Sequence, residues 1–317
     1  MTTGATMPAE EPAEENGTGI VLEAVGGLYR VRLADGTEVQ ALLRGRVKRT
    51  VRTGDRVVPG DRVMTSRIGT EPGFVVEEVL PRTNELARAG SGPSKPKVVV
   101  ANLDRCVVVL AAMDPPFREE TADRFLAFSE SAGIPPVLVL NKLDLPGARD
   151  AVREATGLYQ RIGYQVVGSS VRTGEGMEAL AQVVLSGISA FVGPSGVGKS
   201  TLLNVLDPSL ELRTAAVGNR GGRGGKHTTV SARLLPLSSG GWVADTPGFS
   251  DLTVWGVDLR DISSAFPEFE LPAQGCRFRG CSHIHEPDCG VKDALESGGI
   301  GPTRYQSYRS MREELAR

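Results

Sequence analysis

The order of two short motifs constrains this chain more than either motif does alone. "NKLD" at 141–144 precedes the glycine-rich segment "GPSGVGKS" at 193–200. The second segment satisfies G-x-x-x-x-G-K-[ST], with the apolar run "SAFV" before it and "KSTLLNVL" continuing from it, the strand–loop–helix context of a phosphate cradle. Its glycines let backbone N–H groups approach phosphate oxygens at a helix N-terminus. Gly193, Ser195, Gly196, Val197, Gly198, Lys199, Ser200 and Thr201 are the expected loop contacts. Lys199 is expected to reach the β- and γ-phosphates and to count among the catalytic groups, while the Ser200 hydroxyl ligates Mg²⁺.

Further along, "WVADTPG" ends an apolar run with Asp245, whose carboxylate is placed to hold Mg²⁺ through water, and with Gly248, whose N–H meets a γ-phosphate. Asn141, Lys142 and Asp144 supply base recognition. The Asp144 carboxylate can accept both hydrogen bonds that guanine N1 and N2 offer, a pair adenine lacks, and the stem of Lys142 can cover the base. "GSS" at 168–170 ends the following strand, and a backbone N–H at Ser169 or Ser170 is expected to read guanine O6. All the elements of a GTP site are therefore present, but the chain enters them midway. Because termini of compact α/β domains lie close together, joining the old ends and cutting elsewhere costs little. The nucleotide domain reads as circularly permuted.

Around these motifs, apolar runs of four to six residues alternate with helical patterns from about 98 to 257, the signature of a parallel sheet covered on both faces. Residues 17–87 read differently, as short strands of period two. "LYRVRLADGTEVQALL" is a hairpin in which Asp35-Gly36 supplies positive backbone angles. Four or five such antiparallel strands imply a small barrel of the OB or SH3-like kind. "RGRVKRTVR" places Arg44, Arg46, Lys48, Arg49 and Arg52 in one loop, either a solvated basic loop or a contact to a phosphate backbone. "RAGSGPSKPK" at 88–97 reads as a linker, and residues 1–16, with four Glu and no Lys or Arg, as a disordered acidic tail.

After about 258, helical stretches flank "CRFRGCSHIHEPDC". Three of the four cysteines cluster here, Cys276, Cys281 and Cys289, beside His283 and His285, while Cys106 lies in the apolar run "RCVVVLAA". That distribution favours a metal knot over disulfides. Three thiolates and one imidazole complete a closed, structural tetrahedral Zn²⁺ site. In the final helix Tyr305, Tyr308, Met311 and Leu315 share one face, an apolar stripe that packs on its own domain. The net charge of −2 excludes coating of nucleic acid by overall charge, so such binding must use local patches. No apolar run reaches the ~18 residues of a membrane span. A cytoplasmic location, no membrane partner and a monomer are expected.

The permuted motif order, the barrel before it and the Cys/His knot after it together resemble the RsgA (YjeQ/YloQ) family of small-ribosomal-subunit biogenesis GTPases. The resemblance implies a multidomain chain: an OB-type β-barrel (17–87), the linker (88–97), a circularly permuted α/β P-loop GTPase domain (98–257) and an α-helical zinc-binding domain (258–317). It implies GTP hydrolysis late in 30S maturation, stimulated by the small subunit, and an OB barrel contacting 16S rRNA. The family pattern assigns His283 as the fourth zinc ligand, leaving His285 facing solvent. The family's switch sequence usually reads "GRGKHTT", whereas this chain has "GRGGKHTT" at 222–229, one glycine more. Thr228 or Thr229 closes on Mg²⁺ and the γ-phosphate, with Thr229 the first choice. Many GTPases place a water-orienting Gln where this chain has Phe249, and a phenyl ring cannot position water. His227 is the expected substitute as a catalytic group; the alternative is that it contacts phosphate or RNA with Arg220, Arg223 and Lys226. Two other functional classes fit parts of the pattern, a translation-factor-like GTPase on mature ribosomes and a non-hydrolysing RNA-binding module. Intact Lys199, Ser200 and Asp245 argue against the latter.

Overall fold

The computed structural model describes residues 17–45, 47, 56–69, 72–88, 97–212, 232–245 and 262–316. The acidic tail, most of the basic loop (Arg46, Lys48, Arg49, Arg52), the switch residues 213–231 and the segment 246–261 lie outside them.

Five strands open the described chain: β1 (Gly17–Val25), β2 (Leu28–Leu33), β3 (Glu38–Leu43), β4 (Arg62–Arg67) and β5 (Phe74–Val79). β1 pairs with both β2 and β4, which closes the order β1-β2-β3-β5-β4-β1 into a barrel. One nine-residue strand can serve two neighbours because its register shifts between Val21 and Glu23, a bulge that bends it. Gly19 permits the tight corner: a Cβ there would stand 2.8 Å from the carbonyl oxygen of Arg32. Val21, Val31, Ala41, Val63 and Val76 fill the interior, all fully buried. Two details depart from the sequence expectation. β3 and β5 run parallel, so the barrel is not wholly antiparallel, and that topology selects the OB arrangement. In the β2–β3 turn only Gly36 has a positive φ; Asp35 instead accepts a hydrogen bond from the Thr37 amide at 2.8 Å.

A short hairpin, β6 (Glu85–Arg88) and β7 (Lys97–Ala101), leads into the central sheet, with Arg88 and Lys97 as register partners. That sheet comprises β8 (Arg105–Ala111), β9 (Pro136–Asn141), β10 (Gln165–Gly168), β11 (Ile188–Val192), β12 (Arg233–Leu237) and β13 (Gly240–Asp245), in the order β10-β9-β8-β11-β13-β12. All neighbours are parallel except β12 and β13. Counted from β11 and returned from β13 to β8, the same order reads 6-5-4-1-3-2. The chain is thus open between two strands, β13 and β8, that flank the glycine-loop strand β11. Helices α1 (Glu119–Ser131), α2 (Ala148–Ile162), α3 (Met177–Val184) and α4 (Lys199–Leu206) connect the strands. β8 shows why both faces are covered: Cys106, Val108 and Leu110 enter one apolar core with α1 and α2, and Val107, Val109 and Ala111 enter the other with α3 and α4. Burial pushes the Cys106 thiol up to about 12, so it packs as an inert apolar group.

Beyond 262, two short 3₁₀ turns (Ile262–Ala265, Pro267–Phe269) and helices α5 (Glu270–Ala273), α6 (Gly290–Glu296) and α7 (Pro302–Leu315) surround a third core of Phe266, Phe269, Val291, Tyr308 and Met311, which also takes in Ala127 of α1. Tyr305, Tyr308 and Met311 are buried as the helical stripe predicts. So is Arg304, a residue that the sequence pattern does not single out. Its guanidinium, fully enclosed, pairs with Asp123 of α1 at 2.7 Å and with Glu268 at 2.6 and 3.1 Å, and lies 4.5 Å from the centre of the Phe266 ring. Among the described residues no helix is long and apolar enough to cross a membrane.

The barrel is fixed to the central sheet by a second buried polar knot. Asp61, fully buried, accepts two hydrogen bonds from Arg82 at 2.7 and 3.0 Å and one from the Val58 amide at 2.8 Å. Asn102 donates to Gly60 O at 2.9 Å. Gly60 sits at φ +89°, where a Cβ would meet Ala101 O at 2.0 Å. Gly60→Ala is therefore expected to destabilise the protein by about 3 kcal/mol, through left-handed strain plus the forced shift at the junction. The urea midpoint of the variant checks this; an unchanged midpoint refutes the close approach.

Candidate nucleotide site and metal cluster

The phosphate loop joins the C-terminal end of β11 to the N-terminus of α4. Gly193, Gly196 and Gly198 all have positive φ, at 137°, 81° and 100°. Two of the three also have no room for a side chain. A Cβ on Gly193 would stand 2.1 Å from Val109 O, and one on Gly198 would stand 2.5 Å from Asn141 Nδ2. The turn directs backbone amides at the start of α4 toward one point, which suits an anion. Lys199 donates from its ammonium to Gly193 O at 2.6 Å and Pro194 O at 2.7 Å, so its charge is held over the loop. Ser195, Val197, Ser200 and Thr201 lie in the same turn and first helical residues.

The base-recognition loop leaves the end of β9, two strands away from β11 in the sheet. Asn141, buried, donates from its side-chain amide to Val197 O at 2.8 Å and is thereby a strap between the two loops. Lys142 adopts a left-handed φ of 64°, and its ammonium donates to Asp114 O. Asp144 accepts a hydrogen bond from Ser170 Oγ at 2.6 Å. That bond first, and Arg172 and Lys142 after it, hold the carboxyl below its ordinary range, keeping it an acceptor.

At Ser169 and Ser170, where an amide is expected to read a base oxygen, the backbone N–H groups donate to Leu140 O at 2.9 Å and Glu175 O at 3.0 Å. The side chains are engaged as well: Ser169 Oγ donates to Asn141 Oδ1 at 3.2 Å and Ser170 Oγ orients Asp144. Bonds that span 26 and 28 residues leave no signal in the sequence.

Asp245 ends β13, whose pairing with β11 sets Ala244 opposite Ala190 and so brings the carboxylate to the same sheet edge as the phosphate loop. Arg233 of β12 donates to it from Nε at 3.2 Å, a partner that sequence reading did not find. Ser200 and Asp245 offer the hard oxygen donors that Mg²⁺ requires. Gly248, His227, Thr228 and Thr229, along with Phe249, Arg220, Arg223 and Lys226, lie outside the described residues.

The second constellation is at the opposite end of the chain. One donor atom from each of Cys276, Cys281, His283 and Cys289 lies within 4.8 Å of the others. His283 Nδ1 is 3.6 Å from Cys276 Sγ and 3.4 Å from Cys289 Sγ, so Nδ1 faces the thiols. Burial lowers the pKa of His283, which leaves the imidazole neutral and its lone pair available, and raises the Cys281 thiol to about 12. His285 is exposed. α7 secures this loop through two tyrosines: Tyr305 Oη donates to His283 O at 2.5 Å and Tyr308 Oη to Ser282 O at 2.6 Å. Three sulfurs and one nitrogen, half or more buried around one point, fit a tetrahedral metal ion.

Residues 79–255 match the family model described as RsgA GTPase. The small ribosomal subunit biogenesis GTPase RsgA of Gemmatimonas aurantiaca is 42% identical over 301 residues, spanning 94% of this chain and 97% of that protein. The chain belongs to the RsgA GTPase family. The protein of the same name from Geobacillus thermodenitrificans is 39% identical over the same extent. Among solved structures, YjeQ from Thermotoga maritima superposes with a TM-score of 0.78 at 34% identity, covering 95% of this chain and 99% of that one. YloQ, described as a circularly permuted GTPase, superposes with a TM-score of 0.76 at 28% identity over 98% of both chains. This RsgA family member is accordingly a GTP-hydrolysing enzyme with a circularly permuted nucleotide domain.

The strap from Asn141 to Val197 generates a prediction about the phosphate loop. Gly198→Ala pushes a methyl group into the Asn141 amide at a left-handed position, and should weaken GDP binding by about 100-fold, some 2.7 kcal/mol. Asn141→Ala, which removes the bonds to Val197 O and from Ser169 Oγ without adding bulk, should cost about 10-fold. Titration with a fluorescent GDP analogue reads both; a Gly198→Ala protein binding like wild type contradicts the packing described.

Proposed function

We propose that this chain hydrolyses GTP in the late maturation of the 30S ribosomal subunit, binding the subunit and its 16S rRNA and being stimulated by them. The observation that carries the reading is the Asn141–Val197 strap. It joins a guanine-type acceptor, Asp144, to a phosphate loop from which it is separated in inverted chain order. Relatives named as small-subunit biogenesis GTPases along nearly the whole chain supply the ribosomal partner.

In this reading Asp144 takes the two guanine N–H groups, Lys142 covers the base, and the amides of Gly193 and of Ser195 to Thr201 hold the phosphates. Ser200, Asp245 and Thr229 would hold Mg²⁺, which would supply charge neutralisation to the phosphates. Lys199 exchanges its loop carbonyls for phosphate oxygens. Gly248 meets the γ-phosphate, Thr228 lies beside it, and His227 orients the attacking water once the subunit orders the switch. Cys276, Cys281, His283 and Cys289 hold one structural Zn²⁺ per chain. The boundaries are those of the sequence: barrel 17–87, linker 88–97, nucleotide domain 98–257, metal domain 258–317. The barrel, with Arg44 and the basic residues after it, is the rRNA-facing part. The enzyme works in the cytoplasm as a monomer.

GTPase turnover with and without purified 30S subunits, with ATP as control, tests the function directly. Stimulation by immature and not mature subunits distinguishes maturation from a translation-factor role. His227→Ala should abolish the stimulated rate; full 30S-stimulated turnover removes its catalytic role. Asp144→Asn replaces one acceptor by a donor, so GTP affinity should fall at least about 100-fold while xanthosine triphosphate, which presents a carbonyl at that position, gains. Equal GTP affinity in this variant refutes base recognition by Asp144.

A further inference from the structure

Arg304 joins the metal-bearing C-terminal module to the base-recognition side of the nucleotide site, and we infer that metal and guanine nucleotide bind this chain cooperatively through it. The contacts are continuous. Tyr305 and Tyr308 of α7 hold the carbonyls of His283 and Ser282 in the metal loop. One residue before Tyr305 on that helix, Arg304 pairs with Asp123 at 2.7 Å, and the same carboxylate oxygen of Asp123 accepts from Tyr159 Oη at 2.7 Å. Tyr159 Oη also lies 3.3 Å from Glu119 O, the first residue of α1. Arg304 therefore clamps the first turns of α1 and the end of α2 together, with both ion-pair side chains fully buried.

The loop just before α1 is where the nucleotide site begins. Ala112 N donates to Asn141 O at 2.9 Å, and Asp114 O receives the Lys142 ammonium. Pro115 and Phe117 of this loop, with Pro194 and Val197 of the phosphate loop, wall a cavity of about 210 Å³. α2 starts on the other side of the same motif, four residues after Asp144. Loss of metal frees the carbonyls that Tyr305 and Tyr308 hold. That loosens α7, and with it the clamp that sets the approach of α1 to Lys142 and Asn141. By linkage, nucleotide must favour metal by the same factor that metal favours nucleotide.

The inference rests on the reading that the cysteine cluster holds zinc and that the Asn141–Asp144 loop holds guanine. Zinc content and GDP binding of the loaded wild-type chain therefore come first: absence of either overturns that reading and this inference with it. The coupling is then measured twice on the full chain in magnesium buffer. Zinc removal by a chelator under reducing conditions should weaken fluorescent GDP binding by roughly 5- to 20-fold. Saturating GDP should strengthen zinc affinity, read by competition with a chelating dye, by the same factor. In Arg304→Lys, which keeps the charge but cannot fork between Asp123 and Glu268, both factors should collapse toward one. A purely structural Arg304 would lower the melting temperature of that variant while leaving the effect of GDP on zinc affinity intact. Tyr305→Phe, which removes only the bond to His283 O, gives the same reading if Arg304→Lys does not fold. Equal GDP affinity of the wild type with and without zinc, or an undiminished factor in the folded variant, overturns the coupling.

Discussion

A guanidinium sealed from water dominates the architecture outside the sheet. Burial alone draws protons off Arg304, yet Asp123 and Glu268 outweigh it and hold the group well above its usual range. The arrangement is tolerable only because its members compensate one another: Asp123 is shared with Tyr159, Glu268 meets Arg304 through two bonds, and the Phe266 ring covers the fork. Removing one partner of such a set costs about 3–5 kcal/mol, since the others remain buried and charged. Chain order, with "DTPG" leading directly into the metal module, invites the idea that switch closure tilts that module as a whole. The Arg304 set opposes a free tilt, because any rotation must strain Asp123 on α1. Motion at the nucleotide is then shared with α1 rather than absorbed by a hinge.

Permutation follows naturally from the sheet. Every contact that builds the nucleotide site joins groups at one edge of parallel strands: Asn141 to Val197, Ser170 to Asp144, Asp245 beside β11. Such contacts depend on strand neighbours and not on the path of the chain between them. The cut between β13 and β8 leaves all of the sheet pairings intact and frees two chain ends on either side of β11.

The legibility of the sequence followed how local each signal was. β8, β9 and β11 were readable as apolar runs because burial on both faces removes alternation. The four metal donors came from spacing and family pattern, and they converge as expected. Long-range choices were not readable. The parallel pairing of β3 with β5 is set by barrel closure, which no strand encodes alone. Arg304 lies on the same helical face as Tyr308 and Met311, but its charge argues for solvent, and only its distant partners, Asp123 and Glu268, make burial possible. The bonds of the Ser169 and Ser170 side chains to Asn141 and Asp144 were likewise unreadable, since they join residues far apart in the chain.

The positions of the two appended parts follow from the same cut. The barrel enters the nucleotide domain through β7 and residues 102–104 into β8, fastened by Asp61, Arg82, Asn102 and Gly60. The metal module continues from β13 and returns to α1, the helix that follows β8. Both strands pair with or adjoin the phosphate-loop strand, β8 and β13 on its two sides. β1 of the barrel also meets β12 through the single pairing of Glu23 with Arg233, whose side chain bonds Asp245. In an unpermuted chain the connection from β13 to β8 would be one helix-bearing crossover, internal to the domain. Opening it replaces that crossover with two large bodies, each anchored by buried polar contacts one strand from the phosphates. Through Asp123 on α1 and Asn102 just before β8, each body touches an element that adjoins the site.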